Sequence, residues 1–87
     1  MDTRPDPRVT LYSRDGCHLC AAARDVVARV CDELGEEFVE VLIDADPALV
    51  DRFNDEVPVT FVDGRQHDFW RVDEGRLRAA LQAPRRA

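Results

Sequence analysis

Eighty-seven residues make one domain, able to bury roughly 60–65% of the surface its unfolded chain exposes, and leave no room for a second. Eighteen acidic residues against twelve basic ones give a formal charge of −6, which excludes nucleic acid or an anionic membrane as the main partner because both reward a surplus of Lys and Arg. With 45% hydrophobic and 34% charged residues, the composition is that of a folded globular protein rather than a disordered chain.

No run approaches the ~18 apolar residues of a membrane span, and residues 1–7 lack the apolar centre of a signal peptide, so a cytoplasmic location is expected. All twelve basic residues are Arg. Together with abundant Ala, Val and Asp, that bias reads as the codon usage of a GC-rich bacterial genome, and the cellular small thiol need not be glutathione.

Residues 1–7, with Pro5 and Pro7, read as a disordered leader before a domain spanning 8–82. Arg8 to Tyr12 alternates as a first strand, with Val9 and Leu11 on one side. Ser13-Arg14-Asp15-Gly16-Cys17-His18-Leu19-Cys20 follows. From Leu19 onward, Ala22, Ala23, Val26, Val27, Val30, Cys31 and Leu34 recur at three- and four-residue steps, predicting a long helix with one apolar stripe that Gly35 terminates.

The stretch from Ser13 to Cys20 therefore places a C-x-x-C pair at a helix N-terminus, after a strand. Unpaired backbone N–H groups and the helix dipole favour negative charge there, so Cys17 is expected to form a thiolate readily and to attack disulfides. Cys20, one turn on and on the same side, is placed to resolve the mixed disulfide. The competing readings are half of a zinc site and a structural disulfide. Zinc sites usually show a second C-x-x-C or a paired His motif, and Cys31, His18 and His67 have no such spacing. Cys31 lies eleven residues past Cys20, ~16 Å along a helix axis, and is expected to be a packing residue.

Glu36 to Ile43 is expected to be a second strand, apolar enough at its end to be covered on both faces. Asp46 and Pro47 signal the N-cap and first position of a short helix that buries Leu49, Val50 and Phe53. Val57 to Val62 reads as a third strand opening on Pro58, Asp63-Gly64 as a hairpin turn, and Arg65 to Trp70 as a returning strand with Phe69 inward. Trp70 is read as core, with a place beside the dithiol as the alternative, and His67 as a surface strand residue. Asp73 caps a final helix that buries Leu77, Ala80 and Leu81, and residues 83–87 form a tail.

On the Tyr12–Cys20 motif, on Val57-Pro58 and on the order of elements, the chain resembles a short glutaredoxin-like protein of the thioredoxin superfamily over about Arg8 to Leu81. The resemblance implies an α/β fold of thioredoxin-like, glutaredoxin-type βαβαββα order. Its four-stranded mixed sheet runs second, first, third, fourth, with the first and third helices on one face and the second on the other. It also implies that Cys17 is the nucleophile and Cys20 the resolving thiol. The Val57–Pro58 bond should be cis and opposite the dithiol, with the Val57 backbone pairing an extended substrate. Arg14 takes the place of a basic residue that holds the thiolate and a glutathione carboxylate, its alternative being a solvated loop charge.

Two departures stand out. His18-Leu19 replaces the usual Pro-Tyr between the cysteines, and Trp70-Arg71-Val72-Asp73-Glu74 keeps acids at the last helix, Asp73 among them for substrate binding, but lacks a Gly-Gly pair. His18 is a possible modulator of the thiolate, or else points to water.

The expected function is thiol–disulfide oxidoreduction on a protein or on a low-molecular-weight disulfide, such as one of glutathione or another small thiol. Electrons would come from a small thiol or a flavin-dependent reductase. No metal or organic cofactor, no nucleic acid and no membrane are expected, and the domain is expected to be a monomer. The alternative is a thioredoxin-fold module that carries zinc, a soft metal or an iron–sulfur cluster on the same dithiol.

Overall fold

The computed structural model of the chain describes residues 7–84, so nearly all of the expected leader and residues 85–87 of the tail lie outside the described residues. In chain order the elements are β1 (Val9–Ser13), α1 (His18–Leu34), β2 (Phe38–Leu42), a 3-10 turn (Ile43–Ala45), α2 (Pro47–Phe53), β3 (Val59–Val62), β4 (Arg65–Phe69) and α3 (Glu74–Gln82). They form one mixed sheet in the order β2-β1-β3-β4. β1 and β2 are parallel, with Val9 opposite Phe38 and Ser13 opposite Leu42, while β1–β3 and β3–β4 are antiparallel.

Local signals account for most element ends. Asp46 caps α2 by accepting the Ala48 N–H at 2.9 Å, with Pro47 at the first helical position. Asp73 caps α3 by accepting the Arg76 N–H at 2.8 Å. Gly35 ends α1 at φ 69°, and Asp63 and Gly64, at φ 52° and 80°, make the two-residue turn with both central φ positive that matches the twist of a hairpin.

Strand alternation sorts the helices. Val9 joins Val27, Val30 and Cys31 of α1 and Leu77 and Leu81 of α3 in one apolar cluster. Tyr12 points the other way, stacked on Phe53 of α2 at 4.8 Å with Phe61 edge-on at 5.4 Å. Thus α1 and α3 share one face and α2 covers the opposite one. Each large side chain so buried contributes about 1.5–3 kcal/mol.

Arg8, at the foot of β1, is a fastening that the sequence does not advertise. It is buried, forks onto both oxygens of Asp63 at 2.9 Å, reaches Glu36 at 3.2 Å, and donates to the Leu81 and Ala83 carbonyls at 3.0 and 3.1 Å. The last carbonyls of a helix have no intrahelical donor, so one guanidinium terminates α3 while tying it to the β3–β4 turn.

Several expectations are corrected. β2 is an edge strand, not a strand covered on both faces: Val39 and Leu42, on opposite faces of the sheet, are both exposed, because the helices do not extend over this edge. Leu19 and Ala22 are exposed rather than part of the helix stripe, since α3 packs along the later turns of α1. Phe69 is 49% exposed, not inward, because β4 is the other edge. β4 ends at Phe69, and Trp70, beyond it at φ 63°, is 52% exposed rather than core. His67 lies in the expected strand but is half-buried rather than fully on the surface, its side chain 13% exposed, and burial lowers its pKa below the ordinary imidazole value.

Candidate functional site

The dithiol sits where the sheet hands over to α1. β1 ends at Ser13, and Gly16 turns the chain at φ 71°, a backbone state that costs a residue with a Cβ about 1–2 kcal/mol. The turn is pinned by the Asp15 N–H, which donates to Asp44 at 3.0 Å. Cys17 then adopts the extended conformation of an N-cap, and its sulfur does what a capping oxygen does: it accepts the Cys20 N–H, at 3.2 Å. The Ala21 N–H donates to the Cys17 carbonyl at 3.1 Å. A negative sulfur at this position meets a backbone donor and the positive end of a seventeen-residue helix.

The two sulfurs differ in access. Cys17 is half-buried on the wall of a cleft of about 560 Å³ that Arg14, His18, Arg24 and Glu40 also line. Cys20 is 0% exposed, packed with Ile43, Phe53, Val57 and Val59. Burial first, and then its hydrogen bond with Cys17, push the Cys20 thiol up to about 11; a backbone hydrogen bond from Arg14 and the charge of Arg24 oppose them. At neutral pH Cys20 therefore holds its proton. Both cysteines and Cys31 are free thiols.

The cis bond between Val57 and Pro58 is present, and Val57 belongs to the apolar cluster that holds Cys20, with Cys17 packed against it. The Val57 N–H already donates to the Phe53 carbonyl at 3.1 Å. Trp70 steadies the same loop: its N–H donates to the Pro58 carbonyl at 2.8 Å and its indole N–H to the Asp55 carbonyl at 2.9 Å. Trp70 and Leu19 line a shared apolar groove of about 250 Å³ with Val26 and Val72, so the tryptophan flanks the helix turn that carries the dithiol.

The remaining candidates divide. His18 is exposed at the start of α1, on the cleft. The Arg14 guanidinium turns to Asn54 at the end of α2, 2.8 Å away, and the Asp73 carboxylate is engaged as the α3 cap. Three residues that sequence reasoning passed over stand beside the cysteines: Arg24 forks onto Glu40 at 2.7 and 2.5 Å, and the Ser13 hydroxyl donates to the same carboxylate at 2.6 Å. Helical spacing places Arg24 one turn from Cys20. Nothing local signals Glu40, which reaches the site from β2. Among the described residues, no three His, Cys, Asp or Glu side chains converge as a metal site.

A four-stranded mixed sheet with α1 and α3 on one face, α2 on the other and a C-x-x-C at the head of α1 defines a redox-type module of the thioredoxin superfamily. The chain belongs to the glutaredoxin-like domain family (DUF836), whose sequence profile matches residues 8–82. It is similar to a protein of X. campestris solved by X-ray crystallography, with 42% identity and a TM-score of 0.71 over 87% of this chain and 99% of that one. A Nitrosomonas europaea protein solved by NMR shows 27% identity and a TM-score of 0.70 over 91% and 96% of the two chains. An uncharacterized protein of Mycobacterium tuberculosis is 38% identical over 86% of this chain and 82% of its own. A mutant thioredoxin from Halobacterium salinarum, 24% identical with a TM-score of 0.62 over 94% and 79%, shares the fold. Among the described residues, no helix is long and apolar enough to cross a membrane.

Proposed function

We propose that the chain is a thiol–disulfide oxidoreductase that reduces a protein or low-molecular-weight disulfide through Cys17 and Cys20. One observation carries the reading: the Cys17 sulfur faces the cleft and accepts a helix N–H, while Cys20, behind it, is sealed and protonated. The Cys17 thiolate attacks one sulfur of the substrate disulfide, forming a mixed disulfide and expelling the first substrate thiolate, which takes a proton from water. Cys20 then loses its proton and attacks the Cys17 sulfur, releasing the second substrate thiolate. The substrate gains two electrons and the dithiol becomes a Cys17–Cys20 disulfide. A small thiol or a flavin-dependent reductase restores the dithiol.

Substrate contact falls to the cleft, whose wall includes Arg14, and to the Val57–Pro58 loop, while the Asp73 carboxylate is engaged as the α3 cap. The test is a pair of variants assayed against a disulfide-linked peptide. Cys17→Ser should be inactive, and Cys20→Ser should accumulate a mixed disulfide visible by mass spectrometry. Full activity of Cys17→Ser would end the proposal.

A further inference from the structure

The cluster of Ser13, Glu40 and Arg24 is built differently from the other ion pairs of the surface. An exposed Arg–carboxylate pair adds little to stability, and the Arg24 side chain is 41% exposed. Its carboxylate partner, however, is pegged from below by the hydroxyl of Ser13, itself 0% exposed. One hydroxyl on β1, one carboxylate on β2 and one guanidinium on α1 are thereby locked together at the wall of the Cys17 cleft. The lock fixes where the guanidinium sits, one helical turn past Cys20 on the same face.

The groups that face Cys20 make that placement consequential. Ile43 from the 3-10 turn, Phe53 from α2, and Val57 and Val59 from the third-strand side are all uncharged. The ionisable side chains acting on Cys20 are Cys17, which opposes its ionisation, and Arg24, which favours it. Asp25 and Glu40 act on Arg24 itself. When Cys17 is tied up in a mixed disulfide it carries no charge, its opposition disappears, and the attraction of Arg24 remains. At the moment Cys20 must give up a proton, burial still opposes it, and the backbone donor of Arg14 and the charge of Arg24 favour it.

We propose that Arg24, held in place by Glu40 and Ser13, is a positioning residue for the resolving step and stabilises the Cys20 thiolate as it attacks the mixed disulfide on Cys17. This rests on the oxidoreductase reading above. The proton of Cys20 passes to solvent, the bond between the Cys20 and Cys17 sulfurs forms, the bond from Cys17 to the partner sulfur breaks, and the partner leaves as a thiolate.

The experiment uses the full reduced chain and one equivalent of 4,4′-dithiodipyridine, an uncharged disulfide whose thiopyridone product absorbs light. The first thiopyridone is released on capture by Cys17 and the second on resolution by Cys20, so stopped-flow absorbance separates the two phases. In Arg24→Gln the second phase should slow roughly three- to tenfold at pH 7, at or below the least that a close opposite charge does to an ionisation, because Arg24 is 41% exposed and shared with Glu40. The deficit should vanish at alkaline pH where Cys20 ionises unaided, and Arg24→Lys should restore most of the rate. A second phase that follows the wild-type pH profile in Arg24→Gln, or one that slows equally in Gln and Lys variants, overturns the assignment. Absence of the first phase in the wild type, or its persistence in Cys17→Ser, overturns the oxidoreductase reading and this inference with it.

Discussion

Raising the pH of the reduced protein from 8 to 11 should weaken it through its sealed thiols, and Cys31 is where the effect is cleanest. This cysteine is 2% exposed in the cluster between α1 and α3, and burial, helped by the charge of Glu36, moves its ionisation from 9.0 up to about 11. Below pH 9 the thiol is protonated whether the chain is folded or not, and its contribution is intact. Between pH 9 and 11 the unfolded chain surrenders a proton that the folded one keeps, so stability falls as pH rises, and the loss is complete above the folded value. A tenfold step per pH unit over that interval amounts to about 3 kcal/mol, a large fraction of the 5–15 kcal/mol that holds a small domain together. Urea unfolding of the wild type and of Cys31→Ala, under reductant at pH 8, 9, 10 and 11, measures it. At pH 8 the variant is the weaker by a fixed packing deficit. That gap should shrink by about 2 kcal/mol, or reverse, at pH 11, where the folded thiol is half ionised. Cys20, which moves the same way, is present in both proteins and cancels. A gap that stays constant with pH would refute the claim that this sulfur is sealed.

Arg8→Met should cost about 3–5 kcal/mol in the same urea assay, because it strips a buried cation from Asp63, Glu36 and the α3 carbonyls; a loss under about 1 kcal/mol would show the fastening to be incidental. Asp73→Ala removes the α3 cap and should cost about 1 kcal/mol, with Asp73→Asn nearly neutral, as read from thermal midpoints. Gly35→Ala forces a Cβ into the left-handed cap of α1 and should lower stability by about 1 kcal/mol; an unchanged or raised midpoint would count against the cap.

What could be read in the sequence was whatever depends on near neighbours. Asp46-Pro47, Asp73, Gly35 and Asp63-Gly64 each carry a reason for a chain end or turn within a few residues, and each sits where that reason puts it. The C-x-x-C is legible for the same cause, since strand, turn and helix N-terminus are contiguous. The order of the sheet came through resemblance, because no local pattern says which edge receives β2. The misreadings concern what packs against what at long range. Val39, Leu42 and Phe69 look buried to any periodicity argument, yet two strands must be edges. Arg8 looks like a strand's solvated first residue, although its partners lie 28 to 75 residues away. Glu40 looks like the polar side of a strand until Arg24 is folded over it. Trp70 leaves the strand because its backbone turns to positive φ, anchored to Pro58 by a bond that hydrophobicity cannot foretell.

The unequal exposure of the three sulfurs also has a practical side. Two are sealed, Cys31 between α1 and α3 and Cys20 against Ile43, Phe53, Val57 and Val59, and one opens onto the cleft. A bulky maleimide or a spin label added to the native chain therefore finds a single attachment point, with no engineering of the other two. The position it reports on is the one whose chemistry most needs watching.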